Sequence, residues 1–167
     1  MYRLILLFAL TLIAAGGSET KAQPRQPRAA HPKAQKIHAR RVIRRTAIVI
    51  RRAHELVKEN KVYTGNLARS IAHQRLARKL YFRGNYLRAM HQSRRARYFA
   101  VLAIQANKGT EPSGSAFEKE DQDLMDKNPV SDAELDKELD QEMPGYSKKD
   151  EDFVNAALTE IDLGDID

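Results

Sequence analysis

The groups in this chain that could do chemistry are mostly charged, and most of those are arginines. His54 and His73 lie nearly symmetrically about the turn-forming group Tyr63-Thr64-Gly65-Asn66, so an antiparallel helix pair would bring the two imidazoles opposite each other. Two imidazoles without a third nearby ligand do not make a metal site, and histidines packed at a helix interface meet the same spacing. Glu55 and Glu59 stand one helical turn apart beside Lys and Arg, which reads as surface ion pairing rather than as a general acid and base. Asp121, Asp123 and Asp126, and again Asp162, Asp165 and Asp167, are crowded together without the spacing of an EF-hand. With no Cys in the chain there is no thiolate ligand, disulfide or thiol nucleophile. No Gly-rich phosphate loop and no Ser partnered with His is recognisable. The sequence therefore implies no metal, no cofactor and no small-molecule substrate, and an enzyme is not expected.

The arginines point to anion binding. The 167-residue chain carries a formal net charge of +7, but the charge is segregated. Residues 1–22 sum to +1, residues 23–109 to +20 and residues 110–167 to −14. Sixteen of the 22 cations in the middle block are Arg. The planar guanidinium fork suits bidentate contact with carboxylate or phosphate better than simple hydration does. Arg40, Arg41, Arg44 and Arg45, then Arg51 and Arg52, then Arg94, Arg95 and Arg97 form the candidate anion-binding surface.

The elements that must position these groups begin after an address segment. Met1-Tyr2-Arg3, the apolar run from Leu4 to Ala15, and the small residues up to Ala22 have the three-part form of a secretory signal peptide. At ~1.5 Å per residue the run reaches about 18 Å, short of a ~30 Å hydrocarbon core. Cleavage after Ala22 leaves Gln23 at the mature N-terminus; cleavage after Gly17, or retention as an anchor, are the alternatives. Residues 23–33 hold Pro24, Pro27 and Pro32 among basic side chains and read as an extended linker.

The basic helical unit spans 34–108, and the expected fold class is all-α: a small antiparallel three-helix unit followed by a largely disordered acidic tail with short amphipathic helices. Val42, Val49, Ala53 and Leu56, flanked by Ile43, Ala47, Ile50 and Val57, recur at helical spacing, with the Arg clusters on the opposite arc. Asn66 or Thr64 is placed to cap a second helix over about 67–83, whose apolar positions drift from one face to another. Gly84-Asn85 breaks it, and a third helix runs from about Tyr86 to Asn107.

Leu76, Ala77, Leu80, Gly84, Tyr86, Ala89 and Ala96 fall where a tetratricopeptide repeat places its packing residues. Residues 70–103 thus resemble one degenerate hairpin of that family. Ser93 stands where the repeat has an aromatic, Val101 where it has Pro, and no second copy occurs. The resemblance implies helix–turn–helix packing and only weakly a peptide-binding groove.

Residues 109–130 read as a flexible acidic linker, with 118–126 disordered or fraying. In the acidic tail, 131–167, Ser131-x-x-Glu134 is a capping box that opens a helix over about 132–143, carrying Leu135, Leu139 and Met143. Ser147-x-x-Asp150 opens another over about 148–161, with Asp150 in its favoured first turn. Its apolar stripe, Phe153, Val154, Ala157, Leu158 and Ile161, is the expected docking face of the tail. The expected protein is an exported, non-enzymatic helical binding or structural module, periplasmic or extracellular. Its Arg-rich unit takes its own acidic tail, an acidic protein or an anionic envelope polymer. The rival reading is a histone-like, non-specific nucleic-acid-binding protein with an acidic regulatory tail.

Overall fold

A computed structural model describes residues 32–156. The expected signal peptide, linker residues 23–31, and the docking residues Ala157, Leu158 and Ile161 lie outside them. Among the described residues all regular structure is helical: α1 (Pro32–Asn60), α2 (Asn66–Phe82), α3 (Tyr86–Ala106), α4 (Lys119–Asp126), α5 (Asp132–Glu142) and α6 (Glu151–Val154). None of these helices is long and apolar enough to cross a membrane.

Within the described residues α1 is already helical at Pro32, two residues before the expected start. The helix then runs 29 residues, about 43 Å. Hydrogen bonds give the direction of each neighbour. Gln74 meets the Ile43 carbonyl, Ser93 meets Gln74, and Thr46 meets the Ser93 carbonyl. Asn60 meets the Asn107 carbonyl. α2 therefore runs antiparallel to both α1 and α3, while α1 and α3 run parallel.

The core is divided in two. One apolar cluster gathers Val49, Ile50, Ala53, Leu67, Ile71, Ala100 and Ile104 near the α1–α2 loop, closed by Phe153 and Val154. The other gathers Val42, Ile43, Leu76, Leu80, Ala89 and Met90 near the α2–α3 turn, closed by Met125 and Leu139. Between them lies a buried polar layer of Thr46, His73, Gln74, Gln92 and Ser93. Ser93, the departure from the repeat pattern, belongs to it: its hydroxyl donates to Gln74 Oε1 at 3.0 Å. An aromatic there would leave buried amide groups without partners, at about 1–3 kcal/mol each. The repeat-like positions Leu76, Ala77, Leu80, Ala89 and Ala96 are all buried.

Three local expectations are corrected. The stretch 118–126, read as disordered or fraying, forms α4, because Asp121 and Met125 are buried against the bundle. The final helix, read over 148–161, is the single turn Glu151–Val154 within the described residues. Asn66 is the first residue of α2 and not its cap, and Thr64 contributes only a 3.3 Å bond from the Asn66 N–H to its hydroxyl. The N-cap is Gly65, at φ +77°, with no side-chain cap of its own.

Candidate anion-binding surface and the acidic segment across it

Residues 111–142 cross the basic helices, and their carboxylates meet individual guanidinium groups. Arg97 pairs with Glu111 and donates to the Ser115 carbonyl oxygen at 2.6 Å. Arg41 pairs with Glu118 and, at 2.8 Å, with Asp121. Arg45 reaches Glu118 at 2.6 Å, and His38 lies 2.7 Å from the fully buried Asp121. Arg94 meets Asp126 at 3.3 Å. Arg88 bridges Glu134 and Glu138, and Glu142 takes both Lys79 and Arg83, all at 2.8–2.9 Å.

The strongest of these contacts is at Arg95. It holds both Asp136 oxygens, at 2.9 and 2.8 Å, and reaches Asp132 at 2.6 Å. Its guanidinium also stacks 4.5 Å from the Phe99 ring centroid and 5.1 Å from that of Tyr98. The hydrogen bond to Asp136 raises the Arg95 pKa against the opposing effect of burial. Burial alone would raise the Asp136 carboxyl, but the hydrogen bond and charge of Arg95, with His73 and Arg69 nearby, hold it below its ordinary value. Arg95→Lys keeps the charge but loses the fork and the stacking. It is expected to cost about 1–2 kcal/mol in chemical denaturation, and a double-mutant cycle with Asp136→Asn should return a coupling of similar size.

The anion-surface residues expected from sequence divide into two sets. Arg41, Arg45, Arg94, Arg95 and Arg97 meet residues 111–136, as above. Arg52 instead pairs with Glu55 in its own helix at 3.4 Å, and Arg51 and Arg44 lie on the exposed side of α1. Arg40, half-buried on the same helix, and the exposed Arg44 are also engaged in the structure. The cations missed from sequence are Lys79, Arg83 and Arg88. Their signal was position: Arg83 and Arg88 flank the Gly84 turn, opposite the acidic face of α5.

The two histidines singled out by symmetry serve different contacts. His54 Nε2 donates to the Phe153 carbonyl at 3.0 Å, tying α1 to α6. His73 Nδ1 is 2.7 Å from Gln92 Oε1, and its Nε2 is 3.3 Å from Asp136. Gln92 uses its amide nitrogen on the Leu135 carbonyl and Glu138, so its oxygen accepts from His73. Burial lowers the His73 pKa and outweighs the help of Gln92 and Asp136, so the ring is neutral near pH 7. Among the described residues no group of three or more His, Asp or Glu is arranged to hold a metal ion.

Sequence reasoning also missed the contact made by Asp150. This carboxylate is 1% exposed. One oxygen accepts from the backbone N–H groups of Thr64 and Gly65, both at 2.8 Å, and the other from that of Ala68 at 2.9 Å. It thus caps α2 from 82 residues further along the chain, where the helix dipole favours a negative charge. Gly65 suits this approach on two counts: its φ is +77°, and a Cβ there would stand 3.0 Å from the Lys148 carbonyl oxygen. Phe153 and Val154 then close the nearer apolar cluster. No family model, no curated protein and no solved structure matches this chain.

Proposed function

We propose that the chain is an exported, non-enzymatic helical binding protein whose Arg-rich unit takes an anionic partner and is masked by its own acidic segment. The observation that carries this reading is the series of ion pairs from Arg41, Arg45, Arg94, Arg95 and Arg97 to carboxylates between Glu111 and Asp136. The most exposed of these pairs, Arg94–Asp126, is worth only about 0–1 kcal/mol, so an external polyanion can displace the acidic segment there before it reaches the better-buried contacts of Arg41 and Arg95. The tether raises the effective concentration of the acidic segment, and a partner must outbid it. Export rests on residues 1–22 and is tested by the mature N-terminal residue, expected to be Gln23.

Neutralising Asp132, Asp136 and Glu138 to Asn, Asn and Gln in the full chain tests the masking. The variant should bind heparin about tenfold more tightly than the parent at moderate salt, with a steeper salt dependence. Equal binding by the two proteins would defeat the masking idea. A second reading, non-specific nucleic-acid binding, is favoured by the side of α1 where Arg44, Arg51 and Lys58 are exposed. It predicts that duplex DNA binds both proteins alike, and that only Arg44→Gln with Arg51→Gln weakens it.

A further inference from the structure

A cleft of about 610 Å³ opens at the start of α3, and it shares only Arg88 with the ion pairs to the acidic segment. Its lining includes Asn85, Leu87, Arg88, His91, Pro129 and Val130, and no carboxylate lines it. Two independent features of this cleft point the same way. The first is the start of a 21-residue helix whose N-cap residue, Asn85, makes no side-chain cap and whose first turn holds no acidic residue. The backbone N–H groups of Tyr86, Leu87 and Arg88 have no intrahelical acceptor, and the helix dipole favours negative charge there. The second is His91, which is 0% exposed although neither ring nitrogen has a hydrogen-bond partner of good geometry. The backbone of Asn128, in the α4–α5 connection, lies beside the ring. A buried imidazole left without a partner destabilises the fold, so its presence beside an uncapped helix start calls for a reason.

We propose that this cleft is a binding site for a small monoanionic carboxylate with an apolar body. The carboxylate takes the N–H groups that open α3 and a hydrogen bond from His91, while Leu87, Pro129 and Val130 surround the apolar part. Arg88 sets the preference for one negative charge over two. Its guanidinium is already neutralised by Glu134 and Glu138 at 2.9 and 2.8 Å, so the local field is too weak to reward a phosphate dianion. The site shares Arg88 with the acidic segment but does not rest on masking, and it would stand if that reading failed.

The test is an amide and imidazole NMR titration of the full chain with sodium benzoate, sodium acetate and inorganic phosphate in parallel. Benzoate should produce saturable shifts at Tyr86, Leu87, Arg88 and the His91 ring, with acetate weaker by about tenfold for want of the apolar body. Shifts that do not saturate, or that spread over the Arg clusters equally for all three anions, would overturn the proposal. Two variants separate a site from a packing defect. His91→Leu removes the unpartnered ring and should raise Tm while weakening benzoate by about tenfold. Asn85→Asp supplies a carboxylate at the helix start and should likewise raise Tm while competing with the ligand. Benzoate binding unchanged in both variants would sink the assignment.

Discussion

Asp150→Ala is expected to lower the stability of the chain by about 3 kcal/mol or more, a fall in Tm of roughly 10 °C. The carboxylate accepts three backbone N–H groups within 2.9 Å and is shielded from water. A helix cap replaced by Ala usually costs about 0.5–2 kcal/mol. Here the same side chain also holds the α1–α2 turn through Thr64 and Gly65, and the truncated site leaves buried donors unpaired. The loss also propagates, because Asp150 immediately precedes α6, whose Phe153 and Val154 close the nearer apolar cluster. Asp150→Asn preserves the volume and one acceptor oxygen but points an amide donor at backbone donors, so it should fall between parent and Ala variant. Urea denaturation gives the magnitude. Hydrogen exchange gives the mechanism: the amides of Thr64, Gly65 and Ala68 should lose protection in the Ala variant before those of mid-α1. Uniform loss across all helices, or a change under about 1 kcal/mol, would show that the cap is incidental.

The same residue marks the limit of what the sequence made legible. α1, α2 and α3 could be read because their signals are local: apolar spacing, a turn-forming group, and a Gly-Asn break. The segregated charge also pointed to the acidic segment as a partner for the Arg clusters. Pairing was another matter. Arg51 and Arg95 look alike in sequence, yet one is exposed on α1 and the other grips two aspartates. Asp150 looked like a first-turn acid of its own helix, since capping rules see only residues a few positions away. α4 has only Leu124 and Met125 as apolar residues, and local propensity could not justify a helix there. Its order comes from tertiary contact: Asp121 beside His38 and Arg41, and Met125 in the cluster closed by Leu139. The polar layer was invisible for the opposite reason. Gln74, Gln92 and Ser93 look like surface residues until two helices and the acidic segment satisfy them from three sides.

Acidification should destabilise the chain in two stages, and the sign follows from which state binds protons more tightly. Burial depresses His73, beside Gln92, Asp136, Arg95 and Arg69. It also depresses His91, beside Arg94, Arg88, Asp126 and the Asn128 backbone. In both cases the unfolded chain takes up the proton first. Stability is then fully present above the ordinary histidine value of 6.5 and is lost as pH falls from there toward the lower folded values. Each ring contributes a slope of at most about 1.4 kcal/mol per pH unit within that window. The second stage belongs to Asp136, held down by Arg95 and His73 against burial, and to Glu142, held down by hydrogen bonds from Lys79 and Arg83. Their contribution is intact above the ordinary values of 3.8 and 4.5 and disappears as pH falls below them. The stages respond to different perturbations. His91→Leu should reduce the first to the contribution of His73 without touching the second, because it removes one buried proton acceptor and no ion pair. Added salt should weaken the second, since Asp136 and Glu142 are partly open to solvent, and leave the buried rings largely unaffected. Tm recorded from pH 8 to pH 3 at low and high salt separates them. A profile flat from pH 7 to 5 would mean that both rings titrate alike in the folded and unfolded chain, contrary to their burial in the bundle.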